Sequence, residues 1–315
     1  MTALQIVIKA AALKTVWLGV ATVTAGTAAA AAHGNAEFLP AMVCAIFAVF
    51  AQCTYNVYHR YVDELKGFGE NREDLMLKAD DMNRSIAFIL REGIKIFGLL
   101  MAMAGMALLS MAGWWTILLG LLIAVIVLGS NIGKHPFSQT PFYPLTTFLV
   151  FGPIGVIGTE LVQSQRTSDH LICSWELEPA LILGVIIGLM TMNAHIRYGA
   201  FHRRSNIHNR LTTFYGRFGQ RTSAIVTTVS TIAYTILGVL SPFLMDLGDW
   251  YYYLPVPVIA MAVSFRCLYL TEKGKGSKAW TVALANIMFV AVASLVIMLI
   301  IGYPYRAPIR RLSSN

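Results

Sequence analysis

The sequence predicts an all-α polytopic membrane protein: one bundle of nine transmembrane helices. Three observations lead there. Of 315 residues, 57% are hydrophobic and only 13% charged, against about 25% charged in soluble domains. Several apolar runs reach the ~20 residues a helix needs to cross ~30 Å of hydrocarbon. Lys and Arg collect in alternate connections between those runs, as they do where connections face the cytoplasm. The alternating pattern of barrel strands is absent, and Leu, Ala, Ile and Met dominate.

Taken in order, the spans are 13–32, 38–58, 94–112, 114–132, 143–163, 179–196, 223–245, 252–270 and 281–303. The first, "LKTVWLGVATVTAGTAAAAA", has the basic, apolar and small residues of a leader peptide. It continues for a full span, so it is read as a membrane helix. The fourth follows the third almost without a loop, and the eighth carries Pro255, Pro257 and Arg266. Lys and Arg number seven in 59–95, one in 133–142, six in 197–222 and four in 266–280, with Arg166 alone in 164–178. The expected topology has a cytoplasmic N-terminus and an external C-terminus. The tail "YRAPIRRLSSN" opposes it with three Arg. The net charge of +8 lies beside apolar spans, so it is no nucleic-acid signature. The four Cys have neither the pairing nor the spacing of a disulfide or zinc framework. No span carries a buried charge except Glu160 and Arg266 near helix ends, which argues against a transporter or channel.

No linker or long low-complexity tract divides the chain, so 1–315 reads as a single domain. Two long connections, 59–95 and 197–222, follow the second and sixth spans and are expected to cap one face. The first begins with "NVYHRYVDELKG". Helical steps of four and three place Asn56, Arg60 and Asp63 on one face. The second, "RYGAFHRRSNIHNRLTTFYGRFGQR" from Arg197 on, has six Arg and no acid. Polar helix ends in two halves of a chain can enclose one cavity.

These segments resemble the UbiA superfamily of intramembrane prenyltransferases, closest to the 1,4-dihydroxy-2-naphthoate polyprenyltransferases of menaquinone synthesis. That family's first motif is approximately N-x-x-x-D-x-x-D-x-x-x-G. Here Asn56, Asp63 and Gly67 match it, and Arg60 replaces the first Asp. "FLVFGPIGVIGTELVQSQ" is similar to the family's fifth helix, and "RLTTFYGRFGQRTS" to the stretch ending in Arg-x-Gly. At the second motif, His202 and Asn206 stand where the family has a pair of Asp. No Asp or Glu occurs between Glu178 and Asp246.

The resemblance implies nine helices around a lipid-facing central cavity, a bacterial inner membrane, and a polyprenyl diphosphate held through Mg²⁺. Mg²⁺ prefers carboxylate and phosphate oxygen and would help the allylic diphosphate to ionise. Of four implied carboxylates only Asp63 remains as a metal ligand; Glu64 points about 100° away on a helix. Asn56 and Asp63 are therefore the candidate catalytic residues. Arg60, Lys134, Arg197, His202, Arg203, Arg204, Asn206 and Arg210 are the candidate phosphate cradle. The expected function is a diverged homologue that binds a polyprenyl diphosphate or related phospholipid with metal-dependent transfer weak or lost, as a pseudoenzyme or the membrane subunit of a larger protein assembly. The alternative is an active, Mg²⁺-dependent transferase acting on an aromatic quinone precursor. Against these stand plainer readings: Arg60 as a topology signal, Asn56 and Asp63 as helix-packing polar groups, Lys134 as a snorkelling residue. His195, His202 and His208 lack the Cys or carboxylate partners of a zinc site.

Overall fold

A computed structural model describes residues 2–65, 86–131, 137–164, 177–201, 213–245, 247 and 250–302. The described residues form α1 (Ala3–Ala10), α2 (Val16–Ala32), α3 (Phe38–Leu65), α4 (Ile86–Ala112), α5 (Trp115–Gly129) and α6 (Tyr143–Leu149). They continue with α7 (Gly155–Gln163), α8 (Glu178–Phe201), α9 (Phe214–Leu244), α10 (Pro255–Glu272) and α11 (Gly276–Ile297). Counting α1–α2 and α6–α7 as one rod each, these eleven helices make nine rods, and each predicted span falls on one. Seven rods are long and apolar enough to cross a membrane, and Trp115–Ile126 of α5 is a shorter apolar helix.

Several helices run past the predicted hydrocarbon boundaries. α3 continues to Leu65, α4 begins at Ile86, α8 extends to Phe201, and α9 begins at Phe214. Hydropathy marks where a helix leaves the lipid, not where its backbone hydrogen bonds stop. The last three turns of α3 therefore carry Asn56, Arg60 and Asp63 in unbroken helix.

The bundle is built around α8. Of its spanning window 78% is buried, against 11% for α4. Leu183, Ile187 and Met190 of α8 pack with Leu18, Ala21, Ala28, Ala29, Ala31 and Ala32 of α2 and with Ile287 and Ala291 of α11. Polar side chains tie the helices together: Asn193 Nδ2 donates to Thr227 O at 3.2 Å and Thr231 Oγ1 at 3.3 Å, joining α8 to α9. Asn286 Nδ2 donates to Ala260 O at 2.9 Å and Ser264 Oγ at 3.1 Å, joining α11 to α10. In lipid, such bonds hold helices together where hydrophobicity alone cannot.

The predicted span 143–163 is a broken rod. A π turn, Val150–Ile154, separates α6 from α7, with Pro153 inside it and Gly152 at φ −101°, ψ −116°. Pro lacks the donor that continues a helix, so neighbouring carbonyls need other partners. Thr22 Oγ1 of α2 donates to Phe151 O at 2.8 Å. A Cβ at Gly152 would lie 2.5 Å from Gly184 O and 2.7 Å from Gly188 Cα, so only glycine admits this approach to α8.

The N-terminus holds a helix that hydropathy does not reveal. α1 is closed by a capping box: Thr2 N–H donates to Gln5 Oε1 at 2.9 Å, and Gln5 N–H to Thr2 Oγ1 at 3.3 Å. The chain then breaks at Ala12, which has φ 45°, and passes through a 3₁₀ turn, Leu13–Thr15, into α2.

Candidate functional site

The break after α1, the end of α3, the start of α6, the end of α8 and the start of α9 converge on one cavity of about 200 Å³. Asn56, His59 and Arg60 line it from α3, and His195, Tyr198 and Gly199 from α8. The two segments singled out in the sequence thus reach a common chamber. Thr213 opens α9 at its edge, with its hydroxyl accepting from Gly216 N–H at 3.2 Å. Gly219, the glycine of the Arg-x-Gly motif, has φ 76° and ψ 178°, a conformation that side-chain-bearing residues rarely adopt.

Asn56 lines the cavity, but its amide is committed. Its Nδ2 donates to Ala11 O at 2.8 Å and to Thr15 Oγ1 at 2.8 Å, and its Oδ1 accepts from Gln52 Nε2 at 3.2 Å. It clasps the break between α1 and α2, whose carbonyls have left the helical ladder.

Asp63 is buried and does not line the cavity. Its Oδ2 lies 3.2 Å from His59 Nδ1, one turn earlier on α3, so the carboxylate sits behind an imidazole that faces the cavity. No Asp or Glu lines the chamber among the described residues, nor do those residues contain a group of three or more His, Cys, Asp or Glu able to hold a metal.

Arg197 faces elsewhere. His195, Tyr198 and Gly199 point to the cavity, and at about 100° per residue Arg197 points away from them. It lines a small crevice between α8, α9 and α10 instead. Gly67, Lys134, His202, Arg203, Arg204, Asn206, His208 and Arg210 lie outside the described residues.

The sequence reading did not anticipate the aromatic wall. The hydroxyls of Tyr55 and Tyr143 share a short hydrogen bond across α3 and α6. Tyr143 meets His195 with ring centroids 4.9 Å apart; His195 lies 6.2 Å from Tyr198, which lies 4.9 Å from Trp280 of α11. Part of the signal was present, since Tyr55–His59 and His195–Tyr198 have i,i+4 and i,i+3 spacing. Tyr143 and Trp280 are too remote in sequence to be paired with them.

Among the described residues the donor set does not fit a magnesium clamp. Mg²⁺ demands near-octahedral oxygen, usually from carboxylates, whereas this wall offers Arg60, two imidazoles, hydroxyls and aromatic faces. Arg60, the imidazoles and the hydroxyls can hydrogen-bond an anionic oxygen group, and the rings offer an apolar face.

A model of the UbiA prenyltransferase family matches residues 18–293. The chain is 27% identical over 150 residues to 1,4-dihydroxy-2-naphthoate octaprenyltransferase of Mycobacterium tuberculosis. That alignment covers 47% of this chain and 50% of the relative, so the chain spans about half the length of the curated relative it matches. Among solved structures it is similar to the apo structure of a UbiA homologue from Aeropyrum pernix K1, with TM-score 0.70 and 14% identity, covering 91% of this chain and 99% of that one. A digeranylgeranylglyceryl phosphate synthase structure gives TM-score 0.59 at 14% identity, covering 95% and 99%. At these identities the likeness concerns the fold.

Proposed function

The chain belongs to the UbiA prenyltransferase family, and from that membership we propose that it is a diverged member that holds the phosphate end of a polyprenyl diphosphate or related phospholipid in the cavity, with metal-dependent transfer weak or lost. The observation that carries this reading is the cavity wall: Arg60 and His59 face the chamber, and the nearby carboxylate of Asp63 is turned behind His59. Arg binds phosphate oxygen without a metal. It stabilises a bound diphosphate less selectively at the moment of ionisation than a metal bridging the leaving oxygens would. The volume, about 200 Å³, is below the ~300–1,000 Å³ of chambers that bury whole drug-sized ligands. It takes a headgroup and the first part of a chain, with the tail in lipid.

A second reading, active transfer of a polyprenyl chain to an aromatic quinone precursor, draws support from the similarity to the mycobacterial octaprenyltransferase. It requires carboxylates beyond those of the described wall, such as the acidic residues between 66 and 85. Labelled polyprenyl diphosphate and 1,4-dihydroxy-2-naphthoate, with and without a chelator, separate the two. The first reading predicts bound diphosphate and no chelator-sensitive product. Chelator-sensitive product establishes the second. As a further check, Arg60→Asp with His202→Asp and Asn206→Asp restores acidic groups and is expected to raise Mg²⁺ affinity; unchanged affinity counts against the assigned positions.

A further inference from the structure

Beside the main cavity, on the other side of the α8 end, is a crevice of about 30 Å³ whose wall shares Ile196 and Tyr215 with it. Its polar lining is Arg197 from α8, Gln220, Ser223 and Thr227 from α9, and Thr271 and Glu272 from α10. Two of these groups are buried and incomplete. Arg197 is 8% exposed and its Nε has no hydrogen-bond partner; Ser223 is 4% exposed and its Oγ has none either. The Cys267 thiol, a weak acceptor, is the guanidinium's hydrogen-bonding neighbour. Among the described residues no carboxylate forms an ion pair with Arg197. Glu272, though it lines the crevice, is exposed.

A buried guanidinium without a counter-charge is costly, and a buried unmatched hydroxyl adds to that cost. An anionic oxygen group in the crevice supplies the counter-charge that the Arg197 guanidinium lacks, with the hydroxyls of the lining as further donors. The space exceeds what one water needs, but a neutral water leaves the charge uncompensated. Glu272 adds negative charge at the edge and disfavours a dianion. We propose that this crevice is a second anion site, separate from the cavity, that takes a monoanionic phosphate group, supplied either by the phosphodiester of a membrane lipid or by free dihydrogen phosphate.

The site does not depend on the function proposed for the cavity, and its failure would leave that reading intact. The test is native mass spectrometry of the full chain released from detergent. The probes are dioleoylphosphatidylglycerol, inorganic phosphate, and dioleoylglycerol as the phosphate-free control. Wild type is expected to retain phosphatidylglycerol and not dioleoylglycerol. Arg197→Gln is expected to reduce that retention at least about tenfold, the scale of a lost charge-assisted hydrogen bond, and Ser223→Ala to reduce it less. Glu272→Gln is expected to raise it by removing repulsion, and all three changes are read again in an Arg60→Ala background, which removes phospholipid held through the other cavity. Competition by inorganic phosphate assigns the site to the free anion; its failure to compete assigns it to the lipid headgroup. Equal retention by wild type, Ser223→Ala and Glu272→Gln overturns the proposal even if Arg197→Gln fails to fold.

Discussion

Replacing Asn56 by Ala separates a structural role from a ligand-binding one. The Asn56 amide donates to Ala11 O and to Thr15 Oγ1, both at 2.8 Å. Each such neutral bond contributes about 0.5–1.5 kcal/mol, and an acceptor left unmatched inside the bundle costs about 1–3 kcal/mol. Thr15 Oγ1 also donates to Ala12 O at 3.0 Å, so it remains partly satisfied. The Ala11 carbonyl carries most of the loss, and Asn56→Ala should destabilise by about 2–3 kcal/mol. Thr15→Ala removes one of the two Asn56 bonds and the Thr15 Oγ1–Ala12 O bond, while Ala12 O keeps the Thr15 N–H, and should cost about 1–2 kcal/mol. Because the two residues touch, the double mutant should cost less than the sum, with a coupling of at least about 0.5 kcal/mol. The assay is denaturant unfolding in mixed micelles, followed by tryptophan fluorescence, with Trp17 of α2 near the break. Unfolding of Asn56→Ala indistinguishable from wild type, together with lost binding of polyprenyl diphosphate, would refute the clasp and make Asn56 a ligand group.

Other positions give sharper local tests. Gly219→Ala forces a side chain into φ 76°, ψ 178° and should cost about 1–3 kcal/mol in the same unfolding assay; a neutral result would mean that this turn is not needed. Gly152→Ala places a Cβ 2.5 Å from Gly184 O. Overpacking of about 1–3 kcal/mol should appear as lost stability and as protease sensitivity near the α6–α7 break. Tyr234→Phe removes the hydroxyl that donates to Ser264 Oγ and should cost about 0.5–1.5 kcal/mol. The loss should shrink in a Ser264→Ala background, as a double-mutant cycle would record.

The nine rods were legible because lipid imposes long apolar runs that leave a plain record in composition. Their polar ends were not. Residues 59–65 and 86–93 contain good helix formers but too much charge to register as hydrocarbon spans, although they continue α3 and α4. α1 was hidden for the same reason: its eight residues include Lys9 and precede the first full span. The break inside 143–163 falls at Gly152 and Pro153, and the partner that makes it tolerable, Thr22, lies 129 residues away from Phe151. At the site, the steps from Asn56 to Arg60 to Asp63 lie on the helix whose Asn56, His59 and Arg60 line the cavity, and Asp63 does not line it. They did not reveal that His59 faces the chamber in front of Asp63, because an i,i+4 pair can turn either member outward. Arg197 shows the cost of reading charge without helical phase. It lies two residues from His195, yet it serves another crevice.

In the proposed function the cavity holds a phosphate group through protein cations and hydrogen bonds rather than through a carboxylate-bound metal pair. Equilibrium binding of a polyprenyl diphosphate to the full chain in lipid nanodiscs, with Mg²⁺ and again with a chelator, tests it most directly. Measurable binding is expected in both conditions, with Kd differing by less than about tenfold, or about 1.4 kcal/mol. Binding that disappears with the chelator and returns with Mg²⁺ would contradict it.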